Sequence, residues 1–166
     1  MANNQNNNRN NNGGNNRNNG GNNRNNGGNK PKEKFELPAG YLEGGYFLDS
    51  EQKKLRKEYI TDFARKIAAD LERDGGLQKN NKTQIRKFYE YGLRIKMMLQ
   101  RCDNDISWVE APIAEYISKV AYAKNRGLVT DLYEQFIVKN VKAIETTADF
   151  YAFMKHFEAI VAFMKK

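Results

Sequence analysis

Cysteine and histidine are almost missing from this chain of 166 residues, where Cys102 and His156 are alone of their kinds. A single cysteine excludes an intrachain disulfide framework and a cysteine-built zinc cage. A single histidine excludes a His-rich metal site and makes any His-dependent triad rest on one residue. Also missing is an apolar run near the ~20 residues that span a bilayer, or an N-terminal apolar segment of the signal-peptide kind. The expected location is therefore the cytoplasm, with no membrane partner. Large apolar side chains are scarce at the start as well. Residues 1–29 hold 17 Asn, 6 Gly and three Arg, and apart from Met1 nothing with apolar bulk. Such a stretch buries too little surface to offset chain entropy.

Residues 1–34 are accordingly expected to form a disordered Asn/Gly/Arg low-complexity tail, and residues 35–166 a single folded domain. The composition of the tail suits a solubilising extension, an RNA tether or a self-associating segment, and does not choose among them. The 9 Tyr, the 9 Phe and the single Trp all lie beyond it.

Charge is as unevenly placed as apolar bulk. The net charge is +8. Residues 79–101 carry Lys79, Lys82, Arg86, Lys87, Arg94, Lys96 and Arg101 against Glu90 alone. A polyanion is the natural partner for such a concentration.

The rest of the sequence is read from its periodicity. Residues 35–49 alternate aromatics with Pro and Gly, which predicts an irregular lead-in docked on the core. Five helical segments follow, and no stretch sustains a period of two. The first is expected to start near Asp49 or Ser50 and to stop at Gly75-Gly76, with Leu55, Tyr59, Ile60, Phe63, Ala64, Ile67 and Leu71 on its buried face. The second spans about Thr83 to Arg101 or Cys102. It buries Ile85, Phe88, Ile95, Leu99 and Cys102, and Gly92 lets a neighbour come close. The third runs from Trp108 or Ala111 to Arg126, with Pro112 in its first turn and Ile113, Ile117, Val120 and Ala121 inward. The fourth, capped by Thr130, buries Leu132, Tyr133, Phe136, Ile137, Val141 and Ile144. The fifth starts at Thr147 and repeats Phe150, Phe153, Met154, Phe157, Ile160, Val161 and Met164. The expected fold is all-α, a compact bundle of about five helices.

Chemistry concentrates on the second helix. At 100° per residue Lys87, Arg94 and Arg101 fall within about 40° of one another, roughly opposite the apolar stripe and about 10.5 Å apart along the axis. Lys82 and Arg86 extend the charge at its N-terminal flank. A solvated helix face usually mixes signs, so a face this uniform predicts contact with a nucleic-acid backbone. Lys124 and Arg126 form a second, smaller basic cluster, which would equally suit a helix C-terminus. Tyr122 is able to stack on a base but is expected in the core.

Catalytic residues are not expected. His156 sits in a polar slot beside Lys155 and lacks a partner at i±4. Asp103, Asp105 and Glu110 read as a turn and a cap, without the glycine and later acid of a calcium loop. No phosphate-binding glycine loop occurs, so neither a metal nor a cofactor is expected.

Three stretches in register carry a resemblance: residues 82–89 (KTQIRKFY), residues 121–127 (AYAKNRG) and residues 150–162 (FYAFMKHFEAIVA). Together they resemble the small subunit of type III-A CRISPR effector complexes, the Csm family, over most of residues 55–166. The resemblance implies a non-nuclease helical bundle in an antiviral ribonucleoprotein. Its implied partners are guide RNA and target RNA, the backbone and large subunits, and neighbouring copies of itself in a stacked filament. It maps RNA-contacting basic positions onto Arg86 and Lys87 and onto Lys124 and Arg126. The Asn-rich tail departs from the family pattern. A different reading of the same basic face is a helical protein–protein adaptor that docks an acidic partner.

Overall fold

The computed structural model describes residues 34–76 and 78–165. The expected tail, Lys34 excepted, lies outside the described residues, and so do its suggested roles. Among the described residues five α-helices follow one another: α1 Asp62–Gly75, α2 Lys82–Arg101, α3 Glu110–Asn125, α4 Asp131–Lys142 and α5 Thr147–Phe163. Two 3-10 turns, Lys57–Tyr59 and Ile106–Trp108, precede α1 and α3. Among the described residues there is no strand, only an isolated antiparallel bridge between Phe47 and Leu55. The fold is the all-α bundle that the periodicity predicts.

The start of the first helix does not follow the expectation. Residues 49–61 do not extend α1: residues 46–56 form a hairpin-like loop closed by Leu48 N–H to Lys54 O (2.9 Å) and Arg56 N–H to Tyr46 O (2.9 Å), and the 3-10 turn Lys57–Tyr59 follows it. Asp49 does act as a cap, but of the loop: its carboxylate accepts from the backbone N–H groups of Lys53 (3.1 Å) and Lys54 (2.9 Å). Satisfying these donors locally removes the incentive to propagate a helix from Asp49. Gln52 adopts φ +56°, outside the helical region. Its side chain then ties the loop to α5, accepting from Thr146 Oγ1 (2.9 Å) and donating to Asp149 Oδ1 (3.4 Å). Thr146 and Asp149 complete a capping box that starts α5.

The lead-in docks as expected, with Tyr41 and Tyr46 fully buried. Core packing joins α1, α2, α3 and α4 around α5, whose phenylalanines Phe150, Phe153 and Phe157 are all buried. Gly92 faces Tyr116 of α3 and Met154 of α5 so closely that an added Cβ would collide with the Tyr116 hydroxyl and the Met154 sulfur. The tight crossing of α2 on its neighbours therefore depends on a missing side chain. On α3 the buried stripe is Ile113, Tyr116, Val120 and Ala123. Ile117 is exposed, and Ile60 before α1 is too. The stripe has turned by about one residue because Tyr116 seats its hydroxyl on Phe88 O (3.0 Å), which draws its flank of α3 onto α2.

Two buried asparagines hold elements that apolar contacts alone would leave unregistered. Asn80, at φ +51°, donates to Leu71 O (3.1 Å) and Thr130 Oγ1 (2.7 Å) and accepts from Thr130 N–H (2.9 Å). Thr130 thus precedes α4 as predicted, but its hydroxyl serves Asn80 and makes no cap bond. Asn140 accepts from Tyr46 (2.6 Å) and donates to Tyr41 Oη (2.7 Å) and Phe136 O (2.6 Å).

His156 is the largest departure from the sequence reading. It occupies no polar slot: it is fully buried, with Nε2 2.9 Å from Tyr41 Oη and Nδ1 hydrogen-bonded to Tyr59 O. Burial pushes its pKa down to about 4 from 6.5, with the Tyr59 carbonyl opposing the shift. The ring packs edge-on against Tyr59 and Phe136. This is a neutral core imidazole sharing a network with Tyr41 and Asn140.

Candidate nucleic-acid interface

The second helix is built for one-sided burial. Asn81 caps it through Oδ1 to Gln84 N–H (3.0 Å), and Ile85, Phe88, Gly92, Ile95 and Leu99 face inward. The opposite surface is left to solvent, and Arg86, Lys87, Arg94 and Arg101 are all exposed on it. Its single acid, Glu90, pairs with Arg86 (3.4 Å). Lys87, Arg94 and Arg101 have no ion-pair partner among the described residues, so three unneutralised cations remain in a row of about 21 Å. Arg94 lies over the ring of Tyr91 (5.5 Å), as does Lys119 of α3 (4.7 Å). Burial and the neighbouring Glu115 carboxylate push the Tyr91 phenol up to about 12, and its one hydroxyl hydrogen is shared between Glu115 Oε2 and Pro112 O (both 2.9 Å).

The remaining expected site residues divide differently. Lys82 is half-buried and donates to Met164 O (2.7 Å) at the end of α5, where a cation meets unpaired helix carbonyls. Lys124 bridges α3 to α4, reaching Asp131 (2.7 Å) and Glu134 (2.5 Å). Those two carboxylates hold its ammonium well above the usual lysine range, Asp131 foremost. Arg126 is exposed and rests on Tyr122, donating from Nη1 to the phenol oxygen at 2.9 Å. Tyr122 itself is 62% exposed, not in the core, because it sits on the side of α3 away from the turned stripe. The structure thus groups Lys87, Arg94 and Arg101, sets Arg86 beside them with a partner, and gives Lys82 and Lys124 intramolecular work. The helical wheel could not reveal that division, since it depends on which chain end and which helix lie alongside.

Apolar side chains share the basic surface, which sequence reasoning passed over. Met97 and Met98 are 54% and 43% exposed between Arg94 and Arg101, and Trp108 is 69% exposed just after α2 ends. The wheel did offer a signal for the methionines, because both fall outside the Ile85–Leu99 arc. Among the described residues no group of three or more His, Cys, Asp or Glu side chains is placed to hold a metal ion. In the same residues, no helix is long and apolar enough to cross a membrane.

Against known families, residues 54–166 match the model for Csm2 Type III-A. The chain belongs to that family. Membership makes it a subunit of the type III-A CRISPR complex, whose other Csm subunits and CRISPR RNA are its implied partners, and places it with a structural small subunit. The matched span takes in all five helices and the whole of the basic face. No curated protein and no solved structure matched the chain.

Proposed function

We propose that this Csm2-family chain is a non-catalytic RNA-binding scaffold that holds the phosphate backbone of the guide–target RNA duplex on the outer face of α2. The observation that carries the reading is the row Lys87, Arg94 and Arg101, exposed and without carboxylate partners on a helix whose only acid is already paired. Steps of about 10.5 Å suit phosphates along a strand and make no demand on base identity. Sequence recognition then belongs to base pairing between guide and target. Arg86 and Arg126 extend the grip at lower weight, while Lys82 and Lys124 act mainly within the fold. Copies stacked along the backbone and large subunits would repeat the same grip down the duplex.

The test is charge reversal of Lys87, Arg94 and Arg101 to Glu, with duplex binding measured over a range of salt. The log–log salt slope should fall by about 0.7–0.9 for each phosphate that the variant no longer neutralises, whatever the RNA sequence. Folding should persist, at about 0.5 kcal/mol or less per exposed substitution. A folded triple variant that held duplex as well as the wild type would overturn the reading. It would favour instead a protein–protein adaptor with an acidic partner, a role for which exposed Met97 and Met98 beside arginines are suited.

A further inference from the structure

Trp108 is the only tryptophan of the chain. Its indole is 69% exposed, and it makes no ring stacking, cation–π or side-chain hydrogen bond with any described residue. Its backbone is nonetheless fixed: the N–H bonds to Asp105 O at 3.3 Å, in the 3-10 turn Ile106–Trp108, and the next residue, Val109, is fully buried. A large aromatic surface is thus left mostly in water at a fixed point of the backbone, which costs solvation.

Its position follows from the register of α2 and α3. The two helices run antiparallel, with Tyr116 bonded to Phe88 and Tyr91 to Pro112. Continuing that register by about one turn sets Trp108 alongside the last two turns of α2, level with Arg94 to Met98. The two acids nearest it in sequence are occupied or turned elsewhere. Asp105 accepts from Ser107 N–H (3.0 Å) and Ser107 Oγ (2.8 Å), and Glu110 lines a groove with Val141 and Ile144 on the α4 side. Tyr122, the other exposed aromatic of α3, differs because Arg126 already covers it.

We propose that Trp108 is a stacking platform for an unpaired nucleobase of a strand whose phosphates run along Arg94 and Arg101. The proposal rests on the RNA-gripping reading of α2 and adds the ligand's chemistry to it: at this end of the face the strand has a base free of its partner. Aromatic stacking is indifferent to base identity, which matches a grip that reads only backbone.

One tryptophan makes the test direct. The full chain is titrated at about 50 mM salt with a single-stranded oligoribonucleotide and with the fully paired duplex of the same sequence, following Trp108 fluorescence and, separately, anisotropy of labelled RNA. The single strand should quench Trp108, and Trp108→Ala should weaken single-strand binding by about 5- to 150-fold. Duplex binding should barely change, and Trp108→Phe should restore most of the single-strand affinity. Arg94→Glu with Arg101→Glu should weaken both probes. Single-strand binding that leaves the fluorescence untouched and survives Trp108→Ala would sink the stacking platform and leave the phosphate grip standing. Equal weakening of both probes in Trp108→Ala, without rescue by Phe, would also overturn it, as a structural or protein-docking role predicts. Failure of the wild type to bind either probe would remove the grip and the platform together.

Discussion

The burial of His156 makes the stability of this fold depend on acid in a way that can be computed and isolated. Its folded-state pKa is held at about 4, below the unfolded value of 6.5, because desolvation disfavours the imidazolium. The unfolded chain therefore binds a proton first as pH falls. The stability contributed by the neutral ring is present above about pH 6.5 and is lost as pH drops through the interval down to about 4. With these two values the linkage amounts to about 2 kcal/mol between pH 7 and pH 5, and to about 3 kcal/mol in all. His156→Phe keeps an aromatic ring among Tyr41, Tyr59 and Phe136 but cannot titrate. It should lose about 1–3 kcal/mol at pH 7, because Tyr59 O is left without its ring partner. Urea unfolding of both proteins at pH 7, 6 and 5 separates the two effects. Surface carboxylates affect both chains alike, so only the difference between them matters. That difference should shrink by about 2 kcal/mol from pH 7 to pH 5. A gap independent of pH would refute the buried neutral imidazole.

Gly92→Ala should destabilise by about 1–3 kcal/mol, since the new methyl group meets the Tyr116 hydroxyl and the Met154 sulfur; a change under about 0.5 kcal/mol in urea melts would show that α2 is not pressed there. Tyr133→Phe should raise stability, by about 1 kcal/mol or somewhat more, because its buried hydroxyl has no hydrogen-bond partner among the described residues; a fall in the unfolding midpoint would reveal a partner for that oxygen.

How far the sequence could be read follows from the range of the forces involved. The helices α2 to α5 were legible because helical period is local; their caps are local too, though Asn81 and the Thr146–Asp149 box went unread in the sequence, and Thr130, which was read as a cap, makes no cap bond. The start of α1 was not, because Asp49 can cap either a helix or a tight loop, and the choice is made by Tyr46, Lys54 and Arg56 pairing across the hairpin. His156 looked polar beside Lys155. Yet Ala152, Phe153, Phe157 and Ile160 surround it at helical spacing, and α5 is buried over a wide arc. What decided its burial was Tyr41 and Tyr59, about a hundred residues away in the chain. At the interface, the heptad row Lys87, Arg94 and Arg101 was visible from spacing alone. The withdrawal of Lys82 and Lys124 was not, because their partners Met164, Asp131 and Glu134 belong to other helices or to chain ends.

The charge distribution itself argues that the outer face of α2 answers to something outside the chain. Like charges on one helix face raise its free energy, and a few opposite-sign residues at i±4 would relieve the repulsion at a gain of about 0.2–0.5 kcal/mol per pair. The chain uses that device elsewhere: Lys66 with Asp70 on α1 and Lys119 with Glu115 on α3 are such pairs. On α2 only Arg86 receives one. The positions four residues before and after Lys87 are Thr83 and Tyr91, around Arg94 they are Glu90 and Met98, and around Arg101 they are Met97 and Asp105; Glu90 is paired with Arg86, and Asp105 lies past the helix end and bonds Ser107. Stability is supplied from the other side, by the Ile85–Leu99 stripe and the Asn81 cap. A helix that forgoes cheap local stabilisation on one face, while packing its other face fully, is what the proposed function requires, because a ligand would neutralise the exposed charges on binding. Under the proposed function, the phosphates of a nucleic-acid strand fill that role.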